Sequence, residues 1–282
     1  MTALTASLRY YRGAPLLDQF VLLLVGLLVA VAIFGPFLAP TGVYLSDIRS
    51  ALEPPSAQHW FGTDDQGRDV FWRVVVGART TLLASALIVT AYSLLGVAIA
   101  TLASIAPRWL DELLMRITDI GLALPGLVVA LGFAAAMGPS LESAVIAKAI
   151  TGWPVTARML HGIMRQTMAA QFVVGAQVLG VSRWRLMTRH VLPNSLDVLI
   201  VKWAGDMGAT VLVLAGMSFI GVGAQPPSAE WGAMIADAKG YVSNAWWAVA
   251  APGAAIALTA IAFGLLGDML QVQRDPTLRR DA

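Results

Sequence analysis

Two aspartates stand inside otherwise apolar stretches, and paired buried carboxylates are the acid and base of intramembrane aspartyl proteases. Asp206 follows Trp203-Ala204-Gly205 and Asp268 follows Leu265-Leu266-Gly267, so neither has the Gly-x-Gly-Asp context of that class. The sequence has no His-Glu-x-x-His zinc motif either. A protease is therefore kept only as the remote alternative, and the residues favour no enzyme.

Metal and nucleotide chemistry have equally little support. The histidines His59, His161 and His190 lie far apart in the sequence and form no ligand motif, and there is no cysteine for a thiolate site. The chain has no Gly-x-x-x-x-Gly-Lys-[Ser/Thr] phosphate loop, and no strand precedes Gly221-Val222-Gly223 to make it a dinucleotide site. We expect no cofactor or metal bound by this chain and no ATP hydrolysis of its own.

The composition places these residues in a membrane. Of the 282 residues, 57% are hydrophobic and 13% are charged, and the net charge of +2 is too small to indicate nucleic acid. A spanning helix needs about 20 apolar residues. Six segments meet or approach that length, near 16–39, 80–105, 117–138, 142–162, 195–221 and 248–270. The fourth is the weakest because it carries Glu142, Lys148 and Pro154. The first is interpreted as a retained helix, since no small-x-small cleavage site follows it.

The basic residues predict the orientation. With the N-terminus in the cytoplasm, the inside segments 1–15, 106–116, 163–194 and 271–282, together with Arg158, hold twelve of the 19 Lys and Arg residues. This bias favours both termini inside. The long outside segments are then 40–79 and 222–247, and the second contains three tryptophans that interfacial anchoring would explain: Trp231, Trp246 and Trp247.

An apolar stretch remains in the predicted cytoplasm, at residues 169–193. Helical spacing gives it two apolar rows, one of Phe172, Ala176 and Leu179 and one of Val174, Val178 and Val181. Gly180 lets the chain turn, a second short basic helix is predicted up to His190, and Pro193-Asn194 separates it from the fifth span. Such a helix needs cover, either from the membrane surface, which suits its arginines, or from a groove on a partner protein. The pattern alone leaves both open; the arginines are Arg183, Arg185 and Arg189.

The same stretch resembles the EAA loop of binding-protein-dependent ABC importer permeases. That family's pattern is Glu-Ala-Ala, three residues, Gly, nine residues and an Ile-x-Leu-Pro ending. This chain has Val174-Gly175-Ala176, then Gly180, then His190-Val191-Leu192-Pro193, so the spacing is kept. The Glu position is Val174 and the first Ala position is Gly175, which removes any polar contact made by that Glu but leaves the helix–turn–helix shape.

Two further stretches look like the signatures of the "C" type of dipeptide and oligopeptide permeases. One runs from His59 to Val70 and continues to Gly77-Ala78-Arg79; the other runs from Ser218 to Pro227 and continues to Glu230-Trp231-Gly232. The resemblance covers roughly residues 15 to 278. Single residues in the third and sixth spans also fit: Asp119, Pro125 and Gly267-Asp268.

The resemblance implies an all-α integral membrane protein with about six transmembrane helices and the type I ABC importer permease fold. Residues 1–78 would hold the cytoplasmic N-terminus, the first helix and an extracytoplasmic segment. Residues 79–270 would form the permease core with a cytoplasmic coupling loop at 163–194, and 271–282 a cytoplasmic tail. The implied location is the bacterial inner membrane.

The resemblance also implies the partners: a second homologous permease subunit, two ATP-binding subunits that use ATP and Mg, and an extracytoplasmic substrate-binding protein. Di- and oligopeptides are the implied substrates, with nickel, metal chelates, glutathione or another small solute as alternatives. The coupling helix would rest in an ATPase groove, and the implied coupling residues are Phe172, Val174, Gly175, Ala176, Leu179, Gly180, Arg183 and Pro193.

One pair of opposite charges lies within a predicted span. Lys202 and Asp206 are four residues apart, so they share a helix face and can pair. A lone charge at membrane depth costs at least ~2.5–3.5 kcal/mol, and we therefore expect the pair to face protein or water. Two interpretations stay open: the pair lines a translocation path, or it only anchors the helix, with Lys202 reaching the inner interface.

Overall fold

The computed structural model describes residues 15–274, and within that range the chain is helical, with a single isolated bridge between Thr63 and Asp69. The helices are α1 Leu16–Leu38, α2 Val70–Ile105, α3 Arg108–Ala123, α4 Gly126–Met137, α5 Leu141–Met168, α6 Gln171–Val178, α7 Arg183–Leu186, α8 Leu192–Phe219, α9 Trp231–Ala238 and α10 Trp247–Arg274. Short 3₁₀ turns occupy Ile48–Ser50 and Lys239–Tyr241. Four of the basic residues that predicted the orientation lie outside the described residues, as does most of the predicted tail: Arg9, Arg12, Arg279 and Arg280.

The helices confirm a multi-pass membrane protein but not the count of six spans. Four helical stretches in the described range are long and apolar enough to cross a membrane: α1, α2, the run Arg183–Phe219 and α10. Helices α3 and α4 together make a fifth if the bent pair is one span. The predicted fourth span lies in α5, which has 28 residues but is too polar to qualify, since Lys148, Arg158 and Arg165 add to Glu142.

The predicted third span, 117–138, is wrong as a single helix. Helix α3 ends at Ala123, α4 begins at Gly126, and their axes differ by 84°. Leu124 is extended, with φ −81° and ψ 125°. A residue before proline is pushed out of the helical region, and Pro125 offers no N–H to continue the hydrogen-bond ladder. The break therefore follows from Pro125.

The predicted boundary at Pro193-Asn194 is also wrong. Helix α7, a π-helical segment at Met187–Val191 and α8 run on as one stretch from Arg183 to Phe219. Pro193 lies in the first turn of α8. A π-helical turn beside it accommodates the missing N–H, which would otherwise break the ladder. The second short basic helix is thus the beginning of the fifth span.

The chain divides into two compact units. The first contains the described residues up to 82 together with 204–215 and 226–274. Within it, α10 packs against α1 and α9. Helix α9 approaches α8 so closely that a Cβ on Gly232 would overlap the backbone of Ala215, and Gly77 meets Ala229 in the same way. Small residues therefore permit these close packings, as they do where helices approach closely.

The second unit contains residues 83–203 and 216–225. Its core joins α2, α5 and the π-helical segment through Ala100, Leu160, Met164, Met187 and Val191, all fully buried. Helix α5 also packs against α3 and α4. Because α5 ends at Met168 and α6 begins at Gln171, this core fixes the position from which α6 projects.

Candidate functional site

Helix α6 is short and is closed by a glycine turn. The Gly180 N–H donates to the carbonyl of Gln177 at 2.9 Å, and the Val181 N–H donates to the carbonyl of Ala176 at 3.1 Å. These two bonds form a Schellman motif, which requires a left-handed residue. Gly180 supplies it with φ +86°. The turn predicted at Gly180 is confirmed.

Most apolar side chains of this helix point away from the chain. Val173 is fully buried, whereas the apolar face, defined as Phe172, Val174, Val178 and Leu179, is exposed, its last two members at 83% and 86%. Ala176 is only half-buried, so it lies at the edge of the face and not at the centre of a row with Phe172 and Leu179. Contiguous exposed apolar surface of this kind marks an interaction site.

The inner side of the same segment is firmly held. Val173 packs inward, and Leu186, Met187 and Val191 beyond the turn are fully buried. The Phe172 ring meets His190 edge-on, with centroids 6.5 Å apart. Ser182 caps α7 by accepting from the Arg185 N–H at 3.4 Å. The apolar face is therefore presented on a fixed support.

The remaining predicted coupling residues lie on or beside this support. The position of a Cβ on Gly175 is open space, and Arg183 and Pro193 are exposed. Arg185 and Arg189 are exposed as well. Helix α6 itself carries no basic residue, because its sequence is Gln-Phe-Val-Val-Gly-Ala-Gln-Val.

Close contacts between acidic side chains of α3 and basic side chains of α5 connect α3 to α5, the helix that leads into α6. His161 Nε2 lies 2.8 Å from Asp111 Oδ1, and Arg165 Nη1 lies 3.8 Å from Asp111 Oδ2. Asp119 pairs with Arg158 one turn before His161. The three histidines form no metal cluster in the described chain, and His161 serves this contact. Sequence reasoning missed it because no local spacing relates Asp111 to His161.

A second polar assembly, the loop ion-pair cluster, consists of Asp64, Arg68, Arg73 and Asp237. Asp64 accepts from Arg68 Nε at 2.7 Å and lies 3.4 Å from Arg73 Nε, while Arg68 lies 3.8 Å from Asp237. Burial raises the pKa of Asp237 above its ordinary value, although Arg68 acts in the opposite direction. The carboxylates and guanidinium groups join the loop before α2 to α9.

Hydrogen bonds from tryptophans reinforce this assembly. Glu230 is fully buried and caps α9 by accepting from the N–H groups of Gly232 and Ala233 at 3.1 and 2.9 Å. Trp231 donates to the Val74 carbonyl at 2.9 Å. Trp231 and Trp247 are buried donors, so interfacial anchoring is the wrong interpretation for both, and only Trp246 is exposed, at 61%. The signature residues here hold loops together.

The charged residues of the predicted spans do not form a protease site. Lys202 and Asp206 both lie in α8 and are half-buried, and the Lys202 ammonium stands 5.9 Å from the centroid of the Tyr92 ring. Asp268 in α10 is exposed. A catalytic carboxylate pair needs two buried groups, and Asp268 does not supply one.

Comparison with known proteins decides the family. A family model described as "Binding-protein-dependent transport system inner membrane component" matches residues 92–280. The chain belongs to this family. It is a multi-pass permease of the inner-membrane type and not a member of a catalytic family.

Relatives of this permease match along nearly its whole length. It is 42% identical to the "Probable D,D-dipeptide transport system permease protein DdpC" of Escherichia coli, over 94% of this chain and 89% of that protein. It is 36% identical to the "Dipeptide transport system permease protein DppC" of Alkalihalophilus pseudofirmus, over 92% and 85%. It is 35% identical to the "Glutathione transport system permease protein GsiD" of Pectobacterium atrosepticum, over 91% and 86%.

A solved structure carries the same fold. A chain from "Inward facing conformations of the MetNI methionine ABC transporter" matches with a TM-score of 0.55 at 15% identity, over 71% of this permease and 97% of that chain. The likeness confirms the type I ABC importer permease fold that the sequence motifs predicted.

Proposed function

We propose that this permease forms half of the translocation pathway of an ATP-driven importer of di- and oligopeptides, and that a separate ATPase drives it through helix α6. The DdpC and DppC relatives, at 42% and 36% identity, are named for dipeptide transport, which supports peptides as the substrate class. The relative named for glutathione transport keeps that tripeptide as the alternative substrate. Nickel, metal chelates and other small solutes stay as further alternatives from the sequence motifs.

One observation carries the coupling role: the apolar face of α6 is exposed while Val173 on its other side is fully buried. A helix that lies on a membrane surface carries Lys or Arg on its polar face, and α6 has none. A hydrophobic groove on a partner protein fits this surface better. Gly175 adds no side chain to the helix surface, and Gly180 ends the helix so that Leu179 projects from it. Arg183 would lie at the rim of the partner's groove.

The proposed partners complete the machine. Two ATP-binding subunits, which use ATP and Mg, receive the α6 helices of this chain and of a second homologous permease, and a substrate-binding protein delivers peptide from outside. The chain lies in the bacterial inner membrane with both termini cytoplasmic. Lys202 and Asp206 are the proposed charged residues of the translocation path.

The contacts of the second unit suggest how motion passes inward. When the ATPase closes on ATP, its groove moves α6, and α5 follows because the two helices are nearly continuous. The pairs of Asp111 with His161 and of Asp119 with Arg158 make α3 move with α5. This is a rigid-body switch between two states that nucleotide biases. Pro193, inside the continuous helix from Arg183 to Phe219, stays a proposed coupling residue, through which this motion reaches α8.

Uptake by intact cells tests the function. Deletion of this chain from its own host should abolish energy-dependent uptake of radiolabelled dipeptides, and a plasmid copy should restore it. Uptake of a free amino acid serves as the control. If dipeptide uptake persists while uptake of labelled glutathione or nickel is lost, the substrate class is wrong and the transport function stands.

A further inference from the structure

A groove of about 610 Å³ lies between the end of α1 and the beginning of α2. Residues 39–45, which follow α1, form one wall, and Val76, Arg79 and Thr80 of α2 form the other. The lining is mostly apolar, and three of its residues carry hydroxyl groups: Thr41, Tyr44 and Thr80. All of these residues belong to the first compact unit.

Arg79 is the charged residue of the groove lining, and its side chain is exposed. It stands 6.0 Å from the centroid of the Phe37 ring, and among residues 15–274 no carboxylate or carbonyl accepts a hydrogen bond from it. Arg73, six residues earlier on α2, is by contrast buried against Asp64 and the carbonyls of Pro227 and Ser228. A guanidinium has five donors in a planar fork, so Arg79 is suited to an external anion.

Two independent positions place Arg79 at the edge of the hydrocarbon layer. Phe37, which it contacts, is the penultimate residue of the apolar span α1. Arg79 is also the last charged residue of α2 before an uncharged stretch from Thr80 to Ile105. Both helices therefore meet the headgroup region at the level of the groove, where phosphate groups are the abundant anions.

We propose that the groove binds one phospholipid of the adjacent leaflet, with its phosphate held by Arg79. A phosphate and a guanidinium form a bidentate, charge-assisted pair. The hydroxyls of Thr41, Tyr44 and Thr80 surround the headgroup. The acyl chains continue along α1 on the row that descends from the groove-lining Pro36, where Ile33 and Val29 are exposed. The bound lipid fills the space between the end of α1 and the beginning of α2 and so fixes the end of α1.

Native mass spectrometry of the full-length chain, purified in mild detergent with its associated subunits, tests the proposal. Phosphatidylglycerol vesicles are mixed with the sample, and the bound lipid is titrated. Arg79→Gln should weaken binding at least about tenfold, because a charge-assisted pair is lost. Arg49→Gln makes the same charge change in the loop outside the groove and should bind like wild type. Ala39→Trp fills the groove without changing charge and should also lose the lipid. Thermal unfolding of each variant verifies that it is folded.

Three results would overturn the proposal. The first is equal lipid retention by the folded Arg79→Gln and Arg49→Gln variants. The second is displacement of the lipid signal by millimolar inorganic phosphate, which would assign the groove to a free anion. The third is efficient crosslinking of a single cysteine at Leu45 to another subunit, which would show that protein occupies the groove. None of these measurements depends on transport, so failure here leaves the proposed function intact.

Discussion

Trp247 donates its indole N–H to the backbone carbonyl of Thr63 at 3.1 Å, which joins the first turn of α10 to the loop before α2. The Thr63 hydroxyl continues the network, because it donates to the Ser50 carbonyl at 2.5 Å and accepts from the Glu53 N–H at 2.8 Å. Together with the loop ion-pair cluster, these bonds make segments 40–79 and 222–247 one polar assembly.

The half-buried carboxylate of this assembly predicts a pH dependence. Burial raises the pKa of Asp237 in the folded chain above its ordinary value of 3.8. The folded state therefore binds this proton more tightly than the unfolded state, and the stability gained below the unfolded pKa is lost as pH rises through the folded pKa. The melting temperature of Asp237→Asn should therefore exceed that of wild type by an amount that grows from about pH 4, near the unfolded pKa of an aspartate, to neutral pH. An identical difference at both ends of that range would contradict the assigned burial.

Two glycines of the 169–191 segment should respond oppositely to the same substitution. Gly180→Ala places a Cβ at φ +86° and should destabilise the turn by about 1–2 kcal/mol, although the space is open. Gly175→Ala, in the middle of α6 where the space is also open, should stabilise the helix by about 0.5–1 kcal/mol. Amide hydrogen exchange of residues 171–179 measures both. Changes of the same sign would show that the turn is not closed by a left-handed residue.

The sequence predicted the positions of apolar helices better than the places where helices break or continue. Apolar length correctly placed α1 and α10, and the spacing around Gly180 correctly predicted a short apolar helix followed by a turn. The break at Pro125 was hidden because apolar residues continue on both sides of it. The continuity through Pro193 depends on a π-helical segment that no residue pattern announces.

The polar contacts were harder to predict than the helices. The pairs of Asp111 with His161 and of Arg68 with Asp237 join residues that are distant in the chain, so periodicity carries no signal for them. For the apolar face, the sequence predicted only that an apolar helix in the cytoplasm would need a partner surface. Which of its residues point outward required the packing of Val173 against the core.

Lys202 and Asp206 allow a test of the translocation path. Lys202→Met and Asp206→Leu, singly and together, should be scored for protein level and for peptide uptake. Each single change leaves a charge in a span, at a cost of at least ~2.5 kcal/mol on insertion scales, and should lower the protein level. We expect the double variant to restore the level without restoring uptake. Recovery of both would make the pair purely structural.

The chain contains no cysteine, so single cysteines report the orientation cleanly. Ser56 and Ser182 are both exposed in the structure. Ser56→Cys should react with a membrane-impermeant thiol reagent in intact spheroplasts, and Ser182→Cys only after the membrane is opened, because the proposed orientation puts the basic segments in the cytoplasm. Labelling of Ser182→Cys from outside would reverse the orientation and remove the coupling role of α6.

Co-purification of the ATPase subunits tests the coupling claim most directly. Leu179→Asp puts a charge at the most exposed residue of the apolar face, and Ala176→Asp puts one at its edge. An unpaired charge in a docking groove costs several kcal/mol. Gln177→Asp introduces the same charge on the same helix at an exposed polar position and is the matched control.

The variants are extracted from membranes in mild detergent, and the ATPase that remains bound is quantified beside peptide uptake. The account predicts that Leu179→Asp reaches the membrane at wild-type level, loses at least about nine-tenths of its ATPase, as more than 1.4 kcal/mol implies, and fails to transport. Ala176→Asp should show a smaller loss and Gln177→Asp none. Leu179→Asp that retains its ATPase and transports like wild type would contradict the claim that α6 is the coupling element.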